Sequence, residues 1–253
     1  MHVDKYRYPN SNVLINKLGI TSKKDLLNAE VRLTYIRLKE LEIKPLKGKY
    51  DFKHLKAIHK YIFQDLYDWA GKERTVDIGK GNLFCPACNI PSYAETVFSK
   101  YYVQCYEART DYNKFINVLA ENYGDLNALH PFREGNGRTQ REFARLICLA
   151  CGYRFKLTHT THQDMLKASI LSFNQVDNSL FEKIFSNGVT LLTEDQPTLG
   201  TLDILTSDDL DIKNTITDDY GYEEYNASDE QINFYKTKIK NMKKTVKKHS
   251  FTR

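Results

Sequence analysis

The chain has 253 residues, 41% of them hydrophobic and 12% aromatic, and a formal net charge of +5. This length suits one generous domain with a tail, or two small domains, with enough apolar residues for a core. So slight a positive excess belongs to an ordinary surface and argues for neither nucleic acid nor membrane as a partner.

The opening MHVDKYRYPN lacks the apolar run of a secretory leader, and no stretch of the sequence approaches a membrane span. A cytoplasmic location is expected, with export through a C-terminal address left open. Five cysteines, an odd number, do not fit a secreted disulfide framework. Cys85/Cys88 and Cys148/Cys151 form two C-x-x-C pairs, a spacing that zinc can use. Cys148 and Cys151 lie in the amphipathic run REFARLICLACGY, where cysteine serves as a small hydrophobe, and that reading is preferred to a shared zinc.

In chain order, residues 1–20 are polar and Asn-rich. SKKDLLNAEVRLTYIRLKEL reads as a helix with Ser22 as N-cap, ended by Pro45 and Gly48. DFKHLKAIHKYIFQDLYDWAG reads as a second helix with Phe52, Leu55, Ile58, Ile62 and Leu66 inward and Gly71 as its stop. RTVDIGKGNLFCPACNIPS, rich in turn formers, predicts a hairpin or extended flap. Helix resumes over YAETVFSKYYVQCYEA and NKFINVLAENYGDLNAL. Further helices are expected over RTQREFARLICLACGY, HQDMLKASILSF and NSLFEKIFSNGVTLL. The fold class is all-α: a helical domain over 1–192, core about 50–190, with one β-hairpin flap. Residues 193–253 form an acidic, then acid-free and lysine-rich, C-terminal segment that reads as solvated and flexible.

The stretch HPFREGNGR, His130 to Arg138, falls between two helices. Gly135 and Gly137 permit unusual backbone angles and close approach of a ligand. The first amides of the following helix have no intrahelical partner and favour an anion, phosphate above all. Arg138 and Arg141, three apart, share a helix face and can grip one polyphosphate with forked donors. Glu134 would repel phosphate unless Mg²⁺ sits between them. Asn136 can donate to a phosphate oxygen without adding charge. His130, with an ordinary pKa of roughly 6.5, can take a proton near neutrality. A base, a metal-binding carboxylate and an anion hole suit transfer of a phosphorus-centred group to a hydroxyl.

HPFREGNGRTQR, His130 to Arg141, resembles the signature of Fic-domain proteins, H-P-F-x-[D/E]-G-N-G-R-x-x-R, at every defining position. DWAGKERTVDIGKGNLFC, Asp68 to Cys85, resembles the approach to the family's flap, and the resemblance covers about residues 8–192. It implies a helical fold with the motif between two central helices beneath a β-hairpin. It also implies an enzyme that moves AMP from ATP to a protein hydroxyl and releases pyrophosphate. His130 would be the base, Glu134 the Mg²⁺ ligand, and Gly135, Asn136, Gly137, Arg138 and Arg141 the phosphate-binding set. Lys80 and Gly81 would be the part of the flap nearest the nucleotide, and the flap, about Asp77 to Pro91, would hold the target as an added strand.

Gly137 stands where phosphorylating Doc-type relatives carry lysine, which favours AMP over phosphoryl transfer. Transfer of UMP or phosphocholine, a catalytically silent docking module, and a zinc-organised nucleic-acid binder are the competing readings. The inhibitory helix pattern [ST]-x-x-x-E-[GN] has no full match; TLLTED, Thr190 to Asp195, is a degenerate one. The expected inhibitor is therefore a small antitoxin-like partner acting on Arg141. The resemblance places the protein in a bacterial cytoplasm or, after export, in a host cell.

Overall fold

The computed structural model describes residues 5–80, 82–158, 160–192, 223–225 and 227–250. Two long helices form its centre. α5 (Tyr112–Leu129) buries Phe115, Leu119, Tyr123, Leu126 and Leu129, and α6 (Asn136–Ala150) buries Phe143, Ile147 and Cys148. Both runs carry apolar residues at three- and four-residue spacing, so each helix has a stripe to bury. Around this pair pack α1 (Lys23–Ile43), α2 (Phe52–Phe63), α3 (Ile90–Phe98), α4 (Tyr101–Ala108), α7 (His162–Gln175) and α8 (Ser179–Gly188). Caps fix several starts: Ser22, Asp51, Asp111 and Thr161 each accept the amide three residues on.

The sequence expectations hold for the helical class and differ in four places. α2 ends at Phe63, not near Gly71; the chain then turns, and Leu66 and Tyr67 still bury in the core. The helix expected after the flap breaks at Ser99–Lys100 into α3 and α4. β3 (Tyr153–Phe155) pairs antiparallel with β4 (Val189–Leu191), so the end of NSLFEKIFSNGVTLL is a strand. Thr190 and Leu191, the start of the TLLTED stretch, belong to β4, whereas Thr193 to Asp195 lie outside the described residues.

The fourth difference is the C-terminal segment, for which a flexible tail was the expectation. α9 (Asp229–Ser250) docks on α3, with Tyr235 and Ile239 buried and the Asn89 amide donating to Ile232 O at 3.0 Å. Tyr235 meets Tyr93 edge-on, and Lys238 lies 3.6 Å from Asp125. Burying these two large side chains contributes roughly 1.5–3 kcal/mol each to holding the helix against the domain.

The flap is present. β1 (Asp77–Lys80) pairs with β2 (Asn82–Leu83), and on its other edge with β5 (Glu223–Tyr225), in the order β2-β1-β5. The register sets Asp77 opposite Tyr225 and Gly79 opposite Glu223.

Candidate active site

α5 ends at His130, whose φ of 43° and ψ of 60° place it in the left-handed region. For a residue with a Cβ this costs roughly 1–2 kcal/mol and is tolerated where surrounding contacts over-determine it. Those contacts are visible. Arg74 Nε donates to His130 O at 2.8 Å, and the imidazole stacks on Phe84 with centroids 3.6 Å apart. His130 Nδ1 lies 3.1 Å from Asn127 O. A carbonyl can only accept, so Nδ1 carries the proton and the neutral ring holds its lone pair on Nε2. The turn thus orients the imidazole and chooses its tautomer.

Beyond His130 the turn is tied inward. Asn136 Nδ2 donates to Phe132 O at 2.8 Å, and Asn136 Oδ1 accepts the Phe132 amide at 2.9 Å. The expected phosphate donor is therefore a clamp, buried, that closes the turn on itself. Phe132 is buried, stacked on His59 with centroids 3.8 Å apart. Gly135 has φ 79°, and a Cβ there would lie 2.1 Å from the Phe63 ring. The close approach that demands glycine is thus made by the protein's own α2. Gly137 lies in the first turn of α6.

The two arginines part company. Arg138 is 2% exposed and points at α1: Nη2 lies 2.5 Å from Glu30 Oε1, Nη1 donates to Thr34 Oγ1 at 3.2 Å, and the guanidinium lies over Phe63. The Nη donors of Arg138, the expected phosphate ligand, meet α1 beneath the turn, with Glu134 Oε1 3.5 Å from Nη2. Arg141 is only half-buried, one turn further along α6. Sharing a face by sequence spacing did not give the two a shared surface, because a buried carboxylate captured one of them.

Glu134 is 2% exposed; its Oε1 accepts the Gly135 amide at 2.8 Å and lies 3.5 Å from Arg138 Nη2. Among the described residues no group of three or more His, Cys, Asp or Glu side chains could hold a metal ion. One buried carboxylate does fit Mg²⁺, which keeps waters and takes one or two protein oxygens alongside substrate phosphates. The cysteines are free thiols; Cys85, Cys105, Cys148 and Cys151 are buried in the core and Cys88 is exposed. Burial pushes the Cys85 thiol up to about 12. Lys80 ends β1 at the tip of the flap, and Gly81 lies outside the described residues.

Two residues that carry the site were not singled out from the sequence. Arg74, 2% exposed, donates to three carbonyls: His130 O, Val76 O at 2.8 Å and Cys85 O. It is a buried staple between the flap's two ends and the turn. His59 is fully buried; Nδ1 accepts the Gly71 amide at 2.8 Å, which leaves Nε2–H to donate to Glu134 O at 3.0 Å. Burial pushes its pKa down to about 3, with the nearby Arg138 charge adding to the effect. HKYIF read as core-facing helix; nothing local marks a histidine that bonds a carbonyl 75 residues on.

A histidine cap ahead of a helix start, with a hairpin flap beside it, agrees with the layout that the Fic resemblance implies. Residues 49–148 match the Fic/DOC family, and the chain belongs to that family. It is 41% identical over 171 residues to protein adenylyltransferase VbhT of Bartonella schoenbuchensis, covering 67% of this chain and 36% of that protein. It is 38% identical over 152 residues to the probable protein adenylyltransferase Fic of Salmonella typhimurium, covering 59% of this chain and 74% of that one. The chain therefore spans about a third of the Bartonella protein's length and three quarters of the Salmonella protein's. Among solved structures, the ADP-bound N-terminal Fic domain of a putative cell filamentation protein from Bartonella quintana superposes with a TM-score of 0.69 at 26% identity. That match covers 74% of this chain and 94% of the Bartonella quintana chain. No helix among the described residues is long and apolar enough to cross a membrane.

Proposed function

We propose that this protein is a protein adenylyltransferase, moving AMP from ATP to a hydroxyl of a target protein. The observation that carries the reading is the His130 ring, whose Nδ1–H is engaged by Asn127 O so that Nε2 holds the lone pair at the start of α6. Nε2 takes the proton of the target hydroxyl as its oxygen attacks the α-phosphorus in line. The bond from that phosphorus to the bridging oxygen breaks, and pyrophosphate leaves. The early amides of α6, with Gly135 and Gly137 at its start, bind phosphate oxygens. Arg141 engages the outer phosphates, and Asn136 acts through the turn it clamps. Mg²⁺, when bound through Glu134, neutralises phosphate charge. Lys80, which ends β1, and Gly81 belong to the nucleotide-binding set in this reading.

The target is a protein whose extended segment pairs with the flap. With β5 on one edge of β1, the outer edge of β2 is where such a strand adds. A small inhibitory partner would act by occupying Arg141. The relatives' names and the structural neighbours' description as translocated effectors support a bacterial cytoplasm with export to a host. The test is incubation with Mg²⁺, a lysate and either α-labelled or γ-labelled ATP, beside a His130→Ala control. Label retained from α-ATP alone, and lost in the control, supports AMP transfer; label from γ-ATP alone replaces it with phosphorylation. No label from either leaves three readings: a lysate without the target, an inhibited enzyme, or a docking module.

A further inference from the structure

Arg138 stands between two carboxylates. Its Nη2 lies 2.5 Å from Glu30 Oε1 and 3.5 Å from Glu134 Oε1, and all three side chains are 1–2% exposed. Water screens such charges weakly, so an ångström matters. Glu30 is fixed from the other side as well: its Oε2 accepts the Tyr67 hydroxyl. Thr34, one turn along α1, accepts from Arg138 Nη1 at 3.2 Å and itself donates to Glu30 O at 2.7 Å. A helix more than a hundred residues upstream thereby reaches the floor of the turn.

We propose that Glu30 is a positioning residue: it draws the Arg138 guanidinium off Glu134 and keeps that carboxylate available to the divalent cation that arrives with nucleotide. The inference rests on the metal reading of Glu134 given above. Two carboxylates and one guanidinium leave the trio with one negative charge. Without the charge on Glu30 the trio is neutral, and a buried guanidinium with one remaining carboxylate closes on it. A cation would then compete with Arg138 for the same oxygens. A Glu30 that only anchored α1 would affect stability and leave metal dependence untouched.

The experiment measures ATP binding to the full chain by calorimetry, in a His130→Ala background so that no ATP is consumed, once with Mg²⁺ and once with EDTA. Glu30→Gln is expected to weaken Mg²⁺–ATP binding about tenfold, the scale of a lost outer-shell partner of a metal ligand. Binding in EDTA should not change, and Glu30→Asp, which keeps the charge, should recover most of the loss. Equal weakening in both conditions, or a lower melting temperature with unchanged Mg²⁺–ATP binding, overturns the proposal. Glu134→Gln is run beside it and should show the same Mg²⁺-selective loss. If Glu134→Gln has no such effect, the metal reading itself fails, whereas a selective loss there without one in Glu30→Gln overturns this proposal alone. Should Glu30→Gln not fold, Thr34→Val removes the other α1 acceptor; a smaller Mg²⁺-selective weakening is expected, and its absence overturns the proposal.

Discussion

The turn at 130–138 and the flap strand β1 are neighbours built in opposite ways. Side chains hold the turn: Asn136 clamps Phe132, His59 holds Glu134 O, Arg138 is locked to α1, and Gly135 leaves room for Phe63. Main-chain pairing holds β1, with β2 on one side and β5 on the other. Buried side-chain contacts specify one geometry, as a base and an anion hole require. A strand edge is generic and accepts whichever extended segment offers the matching register. A turn held by buried side chains is rigid and a strand held by main-chain pairing is exchangeable, and the two regions meet where Phe84 stacks on His130.

Arg74 joins the two, so breaking it is the harshest test of the contrast. Arg74→Met would leave three buried carbonyls without their donor, at roughly 1–3 kcal/mol for each unsatisfied group. We expect a loss of roughly 4 kcal/mol in urea melts and loss of AMP transfer, since the His130 cap is then no longer over-determined. A stable, active Arg74→Met protein would mean the turn holds itself without the flap.

Gly135→Ala strikes the turn alone. The new Cβ adopts a left-handed φ and overlaps the Phe63 ring, together costing roughly 3 kcal/mol. Denaturation should show that loss, while the β1 amides exchange hydrogen at their normal rate up to the weakened global limit.

His59 gives the same region a pH signature. Unfolded, it takes a proton near 6.5; folded, it stays neutral until about 3. Between those values the unfolded state holds the extra proton, so stability falls as pH falls, by up to about 1.4 kcal/mol per pH unit. His59→Gln keeps a donor for Glu134 O and an acceptor for Gly71 and removes the titration. Urea melts at pH 7 and pH 5 should therefore show a smaller acid loss in the variant than in the parent.

Much of this was legible from residue order. The helical periods, the hairpin's turn formers and the histidine, glutamate and glycines of HPFREGNGR all declare themselves locally, because caps, turns and anion-binding helix starts are local physics. The fate of Arg138 was not legible: its partner Glu30 lies 108 positions away, in a helix that reads as an ordinary charged surface. Arg74 and His59 escaped for the same reason, since each satisfies main-chain groups brought near by folding. The docked C-terminal helix could have been found. In QINFYKTKIKNMKK the lysines dominate the composition, yet Ile232, Tyr235, Ile239 and Met242 recur at helical spacing, and they form the face turned to the domain.

That helix carries β5 to the flap, and the last test, read as local exchange rather than as global stability, concerns it. Removing residues 223–253 uncovers one edge of β1 and frees Asp77 Oδ2 from the Ala227 amide, while Asp77 Oδ1 keeps its bond to Ala87 at 2.6 Å. The flap then retains β2 and the Arg74 staple, so it should persist with a weaker outer edge. Amide hydrogen exchange is expected to speed up over residues 77–79 and stay unchanged over 130–138, whose protection comes from buried side chains on other elements. Unchanged exchange at 77–79 would mean that β5 contributes nothing to the flap. Faster exchange spreading to the turn would mean that the exchangeable edge and the rigid site are one cooperative unit, and the contrast drawn between them would be lost.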